Sequence, residues 1–180
     1  MQAKTLSQRQ LGQEENKNIL TCSAQRNQWL NSNDKKLFSL CTMKHFQAPG
    51  PGGQKKNRKY SAIRIIHKPT NLSVTSTETR SQSDNRHIAL RKLRIKLAIE
   101  IRGPSIFLDR LKISMSSPLY PSWIALLFDK LWEFEFSISR TAKSLNISTS
   151  KLVKLIARDS NIWQIINYNR ENFGLSKLKW

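Results

Sequence analysis

YSAIRIIHKPTNLSVTSTETRSQSDNRHIALRKLRIKLAIEIR, residues 60–102, changes its hydrophobic period from two to about four along its length. The first part holds two short runs in which apolar and polar residues alternate, and this pattern is typical of strands with one buried face. Pro69 and Asn71 lie between the two runs and favour a tight turn. We therefore predict a β-hairpin. Its inward-facing side chains are expected to be Ile63, Ile65, Leu72 and Val74.

A long basic helix is predicted after the hairpin. Ser81 and Asp84 have the spacing of a helix-capping pair, and Gly103-Pro104 is expected to end the helix at about Arg102. Its apolar stripe consists of Leu90, Leu93, Leu97 and Ile101, and the cations Arg91, Lys92, Arg94 and Lys96 lie outside that stripe. A helix of this kind, packed across the hairpin, predicts a small α+β domain.

The rest of the chain divides by composition into further segments. Residues 1–32 are rich in polar side chains, which favours a disordered arm. The α+β domain is assigned to residues 33–102; Asn33 or Asp34 is expected to cap a short helix, and a strand is expected over TMKHFQ, residues 42–47. Residues 103–121, with three prolines, are read as a linker, and residues 122–180 as an all-helical C-terminal bundle.

The C-terminal bundle contains a helix-turn-helix-like spacing over SISRTAKSLNISTSKLVKLIARD, residues 137–159. An ordinary helical hairpin with a short turn is an equally open interpretation. Inward positions are expected at Thr141, Ala142, Leu145, Ile147, Leu152, Val153 and Ile156, and exposed ones at Ser148, Thr149, Lys151 and Lys154. Trp123, Trp132 and Trp163 are expected to build the core of this bundle.

The charge of the chain predicts a polyanionic partner. The sequence has 31 Lys and Arg against 12 Asp and Glu, which gives a net charge of +19. The sequence has no apolar run long enough to span a bilayer, and binding to a membrane surface is the least favoured alternative. Cys22 and Cys41 lack metal-ligand spacing and are expected to be free thiols in a reducing compartment. His45, His67 and His87 are scattered, so each is interpreted as a surface or turn residue, and no metal site or cofactor is expected.

A second motif precedes the hairpin. It has three glycines followed by a glutamine and a run of cations, in the sequence APGPGGQKKNRKY of residues 48–60. On the other side of the hairpin, residues 80–86 read RSQSDNR. This combination resembles the catalytic domain of bacterial-type class I peptide chain release factors. The matching residues are Gly50, Pro51, Gly52, Gly53, Gln54, Asn57, Arg80, Ser81, Gln82, Asn85 and Arg86. Departures from the usual pattern occur at Pro49, Lys55, Lys56 and Arg58, and all of them keep a basic loop.

The resemblance implies hydrolysis of the peptidyl-tRNA ester inside the ribosome. Gly52 and Gly53 would form a thin probe, the backbone N–H of Gln54 would stabilise the oxyanion, and its uncharged side chain would place water. The residues expected to contact rRNA or tRNA are Lys55, Lys56, Asn57, Arg58, Lys59, Arg80, Arg86, Arg91 and Lys92. Gln82 and Asn85 are expected to brace the loop by hydrogen bonds to backbone atoms.

Since only 49 residues precede the glycines, the nearer resemblance is to short, codon-independent release-factor-like proteins that rescue stalled ribosomes. This implies a monomeric enzyme with two ribosomal partners, large-subunit rRNA and peptidyl-tRNA. It also implies a glutamine methyltransferase acting on Gln54, and a cytoplasmic location, with an organellar matrix left open. The main alternative is a DNA- or RNA-binding regulator led by the C-terminal bundle, which should tolerate loss of Gln54. A factor that binds the same ribosomal cavity without chemistry is the third interpretation.

Overall fold

The computed structural model describes residues 22–46 and 61–179 of the protein. The chain divides after Pro104 into two units, Met1–Pro104 and Ser105–Trp180. The first unit combines helices with a small antiparallel sheet, and the described part of the second unit contains helices only. The predicted α+β class with a helical C-terminal part is therefore confirmed.

The first unit is built around a three-stranded sheet covered by one long helix. The strands follow the order β1-β2-β3, and both neighbouring pairs are antiparallel. In chain order the elements are α1 (residues 22–31), α2 (Asp34–Ser39), β1 (Cys41–Phe46), β2 (Ala62–His67), β3 (Ser73–Ser76) and α3 (Gln82–Glu100).

The predicted hairpin is formed by β2 and β3. Ile65 pairs with Val74 across the two strands, and Asn71 adopts a left-handed conformation with φ of 55° in the turn. Asn tolerates this region better than most residues, which explains its place there. Ile63 and Ile65 are fully buried, as predicted, and they face the buried Leu90, Leu93 and Leu97 stripe of α3. Leu72 and Val74 are half-buried.

Capping side chains set the starts of both helices that were predicted in this unit. The Asn33 side chain accepts a hydrogen bond from the Lys36 backbone N–H, and Ser81 accepts one from Asp84. The end of α3 differs slightly from the prediction, because the helix ends at Glu100 rather than at about Arg102. The Arg102 side chain instead turns back and donates to the backbone oxygens of Ala98 and Ile99.

The prediction of a disordered arm over residues 1–32 was wrong for residues 22–31, which form α1; residues 1–21 lie outside the described residues. Trp29 and Leu30 are buried, and so is Arg26. The Arg26 guanidinium donates to the Ile101 oxygen at 3.1 Å and to the Pro104 oxygen at 3.1 Å. These partners lie more than 70 residues away in sequence, so local composition did not indicate that the segment is ordered.

His67, which was interpreted as a surface or turn residue, lies at the start of the hairpin turn but is not at the surface. It is fully buried, its ring meets the Trp29 ring edge-on at 4.7 Å, and its Nδ1 lies 2.8 Å from the Thr70 hydroxyl. Burial lowers the pKa of His67 to about 4, so the ring is neutral at physiological pH. His67 is thus part of the core at the start of the hairpin turn rather than a surface residue.

The second unit contains four helices in its described part. They are α4 (Tyr120–Glu133), α5 (Ile138–Ser144), α6 (Thr149–Ile156) and α7 (Ser160–Asn172). Residues 105–119 have neither helix nor strand, and α4 begins at Tyr120 with a proline in its first turn, where no N–H is needed. The C-terminal turn of α7 is closed by Gly174, which has a left-handed conformation. In this turn the Leu175 N–H donates to the Arg170 oxygen at 2.8 Å.

The three tryptophans of this unit have different environments. Trp123 is buried in α4, as predicted, whereas Trp163 is half-buried. The prediction for Trp132 was wrong, because its side chain is 45% exposed at the end of α4. Its ring contacts the edges of Phe136 and Phe173, with centroids 5.2 and 5.8 Å away. Trp132 therefore lies at the edge of the core, where it packs against the fully buried Phe136, rather than inside the core.

Candidate functional site

Most of the predicted catalytic and binding residues lie outside the described part of the chain. Residues 47–60 hold Gly52, Gly53 and Gln54 together with the cluster from Lys55 to Lys59. The structure does describe the two ends of this segment. Phe46 is the last residue of β1, and it pairs with Ala62 at the start of β2. The first turn of α3 contacts residues at both ends.

Asn85 connects Ser61, which follows the glycine segment, to Thr79, which precedes α3. Its side chain is fully buried, and Nδ2 donates to the Ser61 oxygen at 2.8 Å and to the Thr79 oxygen at 2.8 Å. Its Oδ1 accepts the Thr79 backbone N–H at 2.9 Å, and the hydroxyls of Ser76 and Thr79 lie 3.3 and 3.2 Å from the same oxygen. Both donors and the acceptor of the amide are thus used, as a buried amide requires.

Gln82 contacts the first end of the segment. Its Nε2 lies 2.9 Å from Nδ1 of His45, a residue of β1 one position before Phe46. With the amide nitrogen as donor, Nδ1 accepts and the ring carries its proton on Nε2. The partner of this bond is a side chain rather than the backbone atom that was predicted. His45 is therefore a contact that the sequence analysis missed, although its place beside the glycine segment could have indicated it.

The predicted cations of α3 do not lie on one face of the helix. Successive residues are about 100° apart around a helix, which separates Arg86, Arg91 and Lys92 by wide angles. The guanidinium of Arg86 stacks over the Phe38 ring at 5.6 Å, on the packed side of α3. Arg80 and Arg91 are exposed. The structure thus distributes these charges around the domain, and their contact with RNA stays a prediction.

Lys92 has a carboxylate partner inside the domain. Its Nζ donates to the Glu78 carboxylate and to the Thr75 oxygen at 3.3 Å. Burial raises the pKa of Glu78, but the hydrogen bonds from Lys92 and Ser76 outweigh this and lower the pKa to about 2. Glu78 is therefore ionised at neutral pH and neutralises Lys92 locally.

Arg94 also has a structural role. It pairs with Asp34 of α2 at 2.8 Å and donates to the Ser32 oxygen at 2.8 Å, and only 13% of its side chain is exposed. His87 meets the other oxygen of Asp34 at 2.9 Å. Partial burial raises the pKa of Asp34, but the bonds from His87 and Arg94 lower it below its usual value overall. This cluster joins α2 to α3 and leaves less free positive charge on α3 than the sequence suggests.

The described residues provide no site for a metal ion. Within residues 22–46 and 61–179, no group of three or more His, Cys, Asp or Glu side chains comes together. Cys22 and Cys41 are free thiols, as predicted. Among the helices that the structure describes, none has the length and apolar character needed to cross a membrane.

Comparison with known proteins finds one family model that matches the glycine segment together with the strands and the long helix next to it. Residues 38–104 match the RF-1 domain family. The predicted resemblance is therefore confirmed over this segment, and the RF-1 match ends at the same residue, 104, as the first structural unit.

Curated proteins similar to this chain include peptide chain release factors. Peptide chain release factor 1 of Caldicellulosiruptor bescii is 50% identical over 52 residues, which are 29% of this chain and 15% of that protein. The protein of the same name from Mycoplasma capricolum is 50% identical over 52 residues, covering 29% of this chain and 14% of its own length. Peptide chain release factor RF2 of Thermus thermophilus is 47% identical over 51 residues, covering 28% and 14%. The chain thus matches 15% or less of the length of these relatives.

Proposed function

We propose that this protein is a codon-independent, release-factor-like hydrolase that cleaves peptidyl-tRNA on the ribosome, in the rescue of stalled complexes. The observation that carries the proposal is the RF-1 match over residues 38–104, which includes the Gly52-Gly53-Gln54 sequence. Its partners in this proposal are large-subunit rRNA and peptidyl-tRNA, with a glutamine methyltransferase acting on Gln54. The protein works as a monomer in the cytoplasm or in an organellar matrix.

The proposed reaction needs little from the protein apart from position. A water oxygen attacks the ester carbonyl carbon, the bond to the tRNA ribose oxygen breaks, and a proton from water passes to that oxygen. The backbone N–H of Gln54 donates to the carbonyl oxygen while negative charge develops on it. Loss of one such donor typically reduces the rate on the order of 10²–10³-fold. The uncharged Gln54 side chain holds the water and keeps larger nucleophiles out.

Asn85 and Gln82 act as positioning residues in this proposal. Asn85 holds Ser61, which directly follows residues 47–60, and Gln82 holds His45 close to their start. Both belong to the first turn of α3, so one rigid helix end controls both ends of the glycine segment. The cations from Lys55 to Lys59 then neutralise rRNA phosphates near the tip.

Peptide release from ribosomes stalled without a stop codon tests the proposal. The wild-type chain is compared with Gly53→Ala, Gln54→Ala and the control Gln164→Ala, which changes an exposed glutamine of α7. We expect release by the wild type and the control, and a large loss with both loop variants. Release that requires a stop codon would refute codon independence. Ribosome binding without any release would instead support the non-catalytic factor.

One structural feature favours the alternative of a nucleic-acid-binding regulator. α5 and α6 are joined by a four-residue turn, 145–148, as the helix-turn-helix-like spacing requires. In that case the RF-1 domain would have lost its activity, and Gln54→Ala would leave the function of the protein unchanged. The release assay therefore separates the two functions.

A further inference from the structure

α5 and α6 form a well-defined pair of helices. Asn146 is left-handed with φ of 53°, and the Ile147 N–H donates to the Ala142 oxygen at 3.0 Å, so α5 ends in a Schellman-type turn. The Ser148 hydroxyl then accepts the Lys151 N–H at 3.2 Å and begins α6. The turn is thus set by hydrogen bonds at both helix ends.

The inward residues of this pair fix the orientation of α6. All seven of the predicted inward positions are buried or half-buried, and Leu155, which was not predicted, is buried too. The buried members are Thr141, Ala142, Leu152, Leu155 and Ile156. The outward positions of α6 and of its N-cap are therefore fixed. They include the predicted Ser148, Thr149, Lys151 and Lys154, all of which are exposed.

This outward surface carries positive charge without acidic residues. Residues 136–158 contain five cations and no Asp or Glu. Arg140 lies 3.7 Å from Glu135, which precedes the segment. Elsewhere in the second unit, Lys130 has a carboxylate partner in Glu133 at 2.7 Å, and Lys177 has one in Glu171 at 3.1 Å. The remaining four cations, all exposed, are Lys143, Lys151, Lys154 and Arg158.

The side chains on this surface are of the kinds that contact phosphate. Ammonium, guanidinium and hydroxyl groups donate to phosphate oxygens. α6 has no Asn, Gln, Asp or Glu, the residues that pair with adenine or cytosine edges. Lys and Arg can also pair with guanine, but without amide and acidic side chains this set fits contact with a nucleic-acid backbone better than the reading of a base sequence.

We propose that the α5–α6 surface, defined as Lys143, Thr149, Ser150, Lys151, Lys154 and Arg158, binds the phosphate backbone of double-stranded RNA. The choice of RNA over DNA rests on the proposed function, because a protein that works on ribosomes meets rRNA helices. The narrow major groove of such helices excludes side chains, so binding through phosphates is also the mode that duplex RNA permits. The surface gives the protein a second RNA contact, independent of the glycine segment.

Binding of the full chain to a fluorescent RNA duplex tests this proposal. Lys151→Gln/Lys154→Gln is compared with Lys112→Gln/Lys179→Gln, a control that removes the same charge from exposed positions outside the surface. We expect the surface variant to lose about tenfold in affinity, and its plot of log affinity against log salt to become shallower by about 2, since each phosphate contact contributes about 0.9. The control should change little in either measurement.

Equal losses in the two variants would overturn the proposal, because the effect would then come from net charge alone. Unchanged affinity in both would also overturn it. A DNA duplex of the same sequence serves as a further comparison. Tighter binding of that DNA, lost in the surface variant only, would replace RNA by DNA as the ligand and refute the proposal as stated.

A photocrosslink locates the contact within the chain. p-Benzoylphenylalanine replaces Ser150 on α6 in one variant and the exposed Tyr168 on α7 in the other. On ribosomes, we expect rRNA crosslinks from position 150 and few from position 168; the reverse pattern, or none from 150, contradicts the proposal. Both experiments are repeated in the Gln54→Ala chain. Retained crosslinks without peptide release there separate this surface from the proposed reaction.

Discussion

Replacing Asn85 with alanine should destabilise the first unit strongly. The change removes three short hydrogen bonds, two at 2.8 Å and one at 2.9 Å, and two longer ones at 3.2 and 3.3 Å. It also leaves the Ser61 oxygen and both backbone groups of Thr79 without these partners in a buried site. A buried hydrogen bond contributes about 1 kcal/mol net, and an unsatisfied group costs about 1–3 kcal/mol. We therefore expect a loss of about 3 kcal/mol in the free energy of unfolding.

Urea unfolding at pH 7 measures this loss. With a slope of about 2 kcal/mol per molar urea, the midpoint should fall by about 1.5 M. Asn161→Ala is the control, because Asn161 is exposed in the first turn of α7 and surface substitutions usually stay within about 0.5 kcal/mol. If Asn85→Ala also stays within that range, the reasoning about the buried amide is refuted.

A second variant, Asn85→Asp, separates the donors from the acceptor. The aspartate keeps an oxygen for the Thr79 N–H but loses the Nδ2 donors to Ser61 and Thr79. At neutral pH it places a buried charge beside two carbonyl oxygens, so we expect it to be less stable than Asn85→Ala. Below the pKa of the new carboxyl, its O–H can donate again, and the difference should shrink. A stability difference between the two variants that stays the same at every pH would contradict this assignment.

Two further predictions concern packing and pH. Gly103→Ala should cost about 1–3 kcal/mol, since a Cβ there would lie 2.8 Å from Arg26 Nε and 2.9 Å from the Ser23 oxygen; thermal unfolding measures this, and an unchanged melting temperature contradicts it. The pKa of His67 is about 4 in the folded protein and 6.5 in the unfolded chain. Between pH 4 and pH 6.5 the unfolded chain therefore binds more protons than the folded protein does. Stability is therefore complete above pH 6.5 and should fall by roughly 2–3 kcal/mol towards pH 4. Comparing urea midpoints of the wild type and His67→Gln over this range checks the prediction, because the variant should lack this loss; identical slopes would count against it.

Local signals explain why much of the first unit could be predicted. Alternation along β2 and β3, the caps at Asn33 and Ser81, and the stripe on α3 each depend on residues within a few positions of one another. Such signals act through nearby backbone geometry, so a sequence displays them directly. The RSQSDNR match indicated Asn85 in the same way, but its partners, Ser61 and Thr79, became known only from the fold.

The errors share a different physical origin. The burial of Arg26 depends on carbonyl groups at residues 101 and 104, and the burial of His67 depends on Trp29. Trp132 was expected in the core because of its size, yet it packs at the edge of the core, against the fully buried Phe136 and the partly exposed Phe173. In each case at least one of these contacts is distant in sequence, and composition and periodicity do not report such contacts.

The difference between local signals and contacts formed by the fold also changes how the charge of the chain is interpreted. The sequence predicts cations that contact RNA in the glycine segment and in α3, but Lys92 and Arg94 of α3 are paired with Glu78 and Asp34 inside the domain. A cation that already has a carboxylate partner gains less from a phosphate, because the first pair must be given up. The acid-free α5–α6 surface has a smaller net charge in sequence but a larger share of it available to a polyanion. The charge that remains after internal pairing, rather than the total of +19, is therefore the better basis for the proposal of where a polyanion binds.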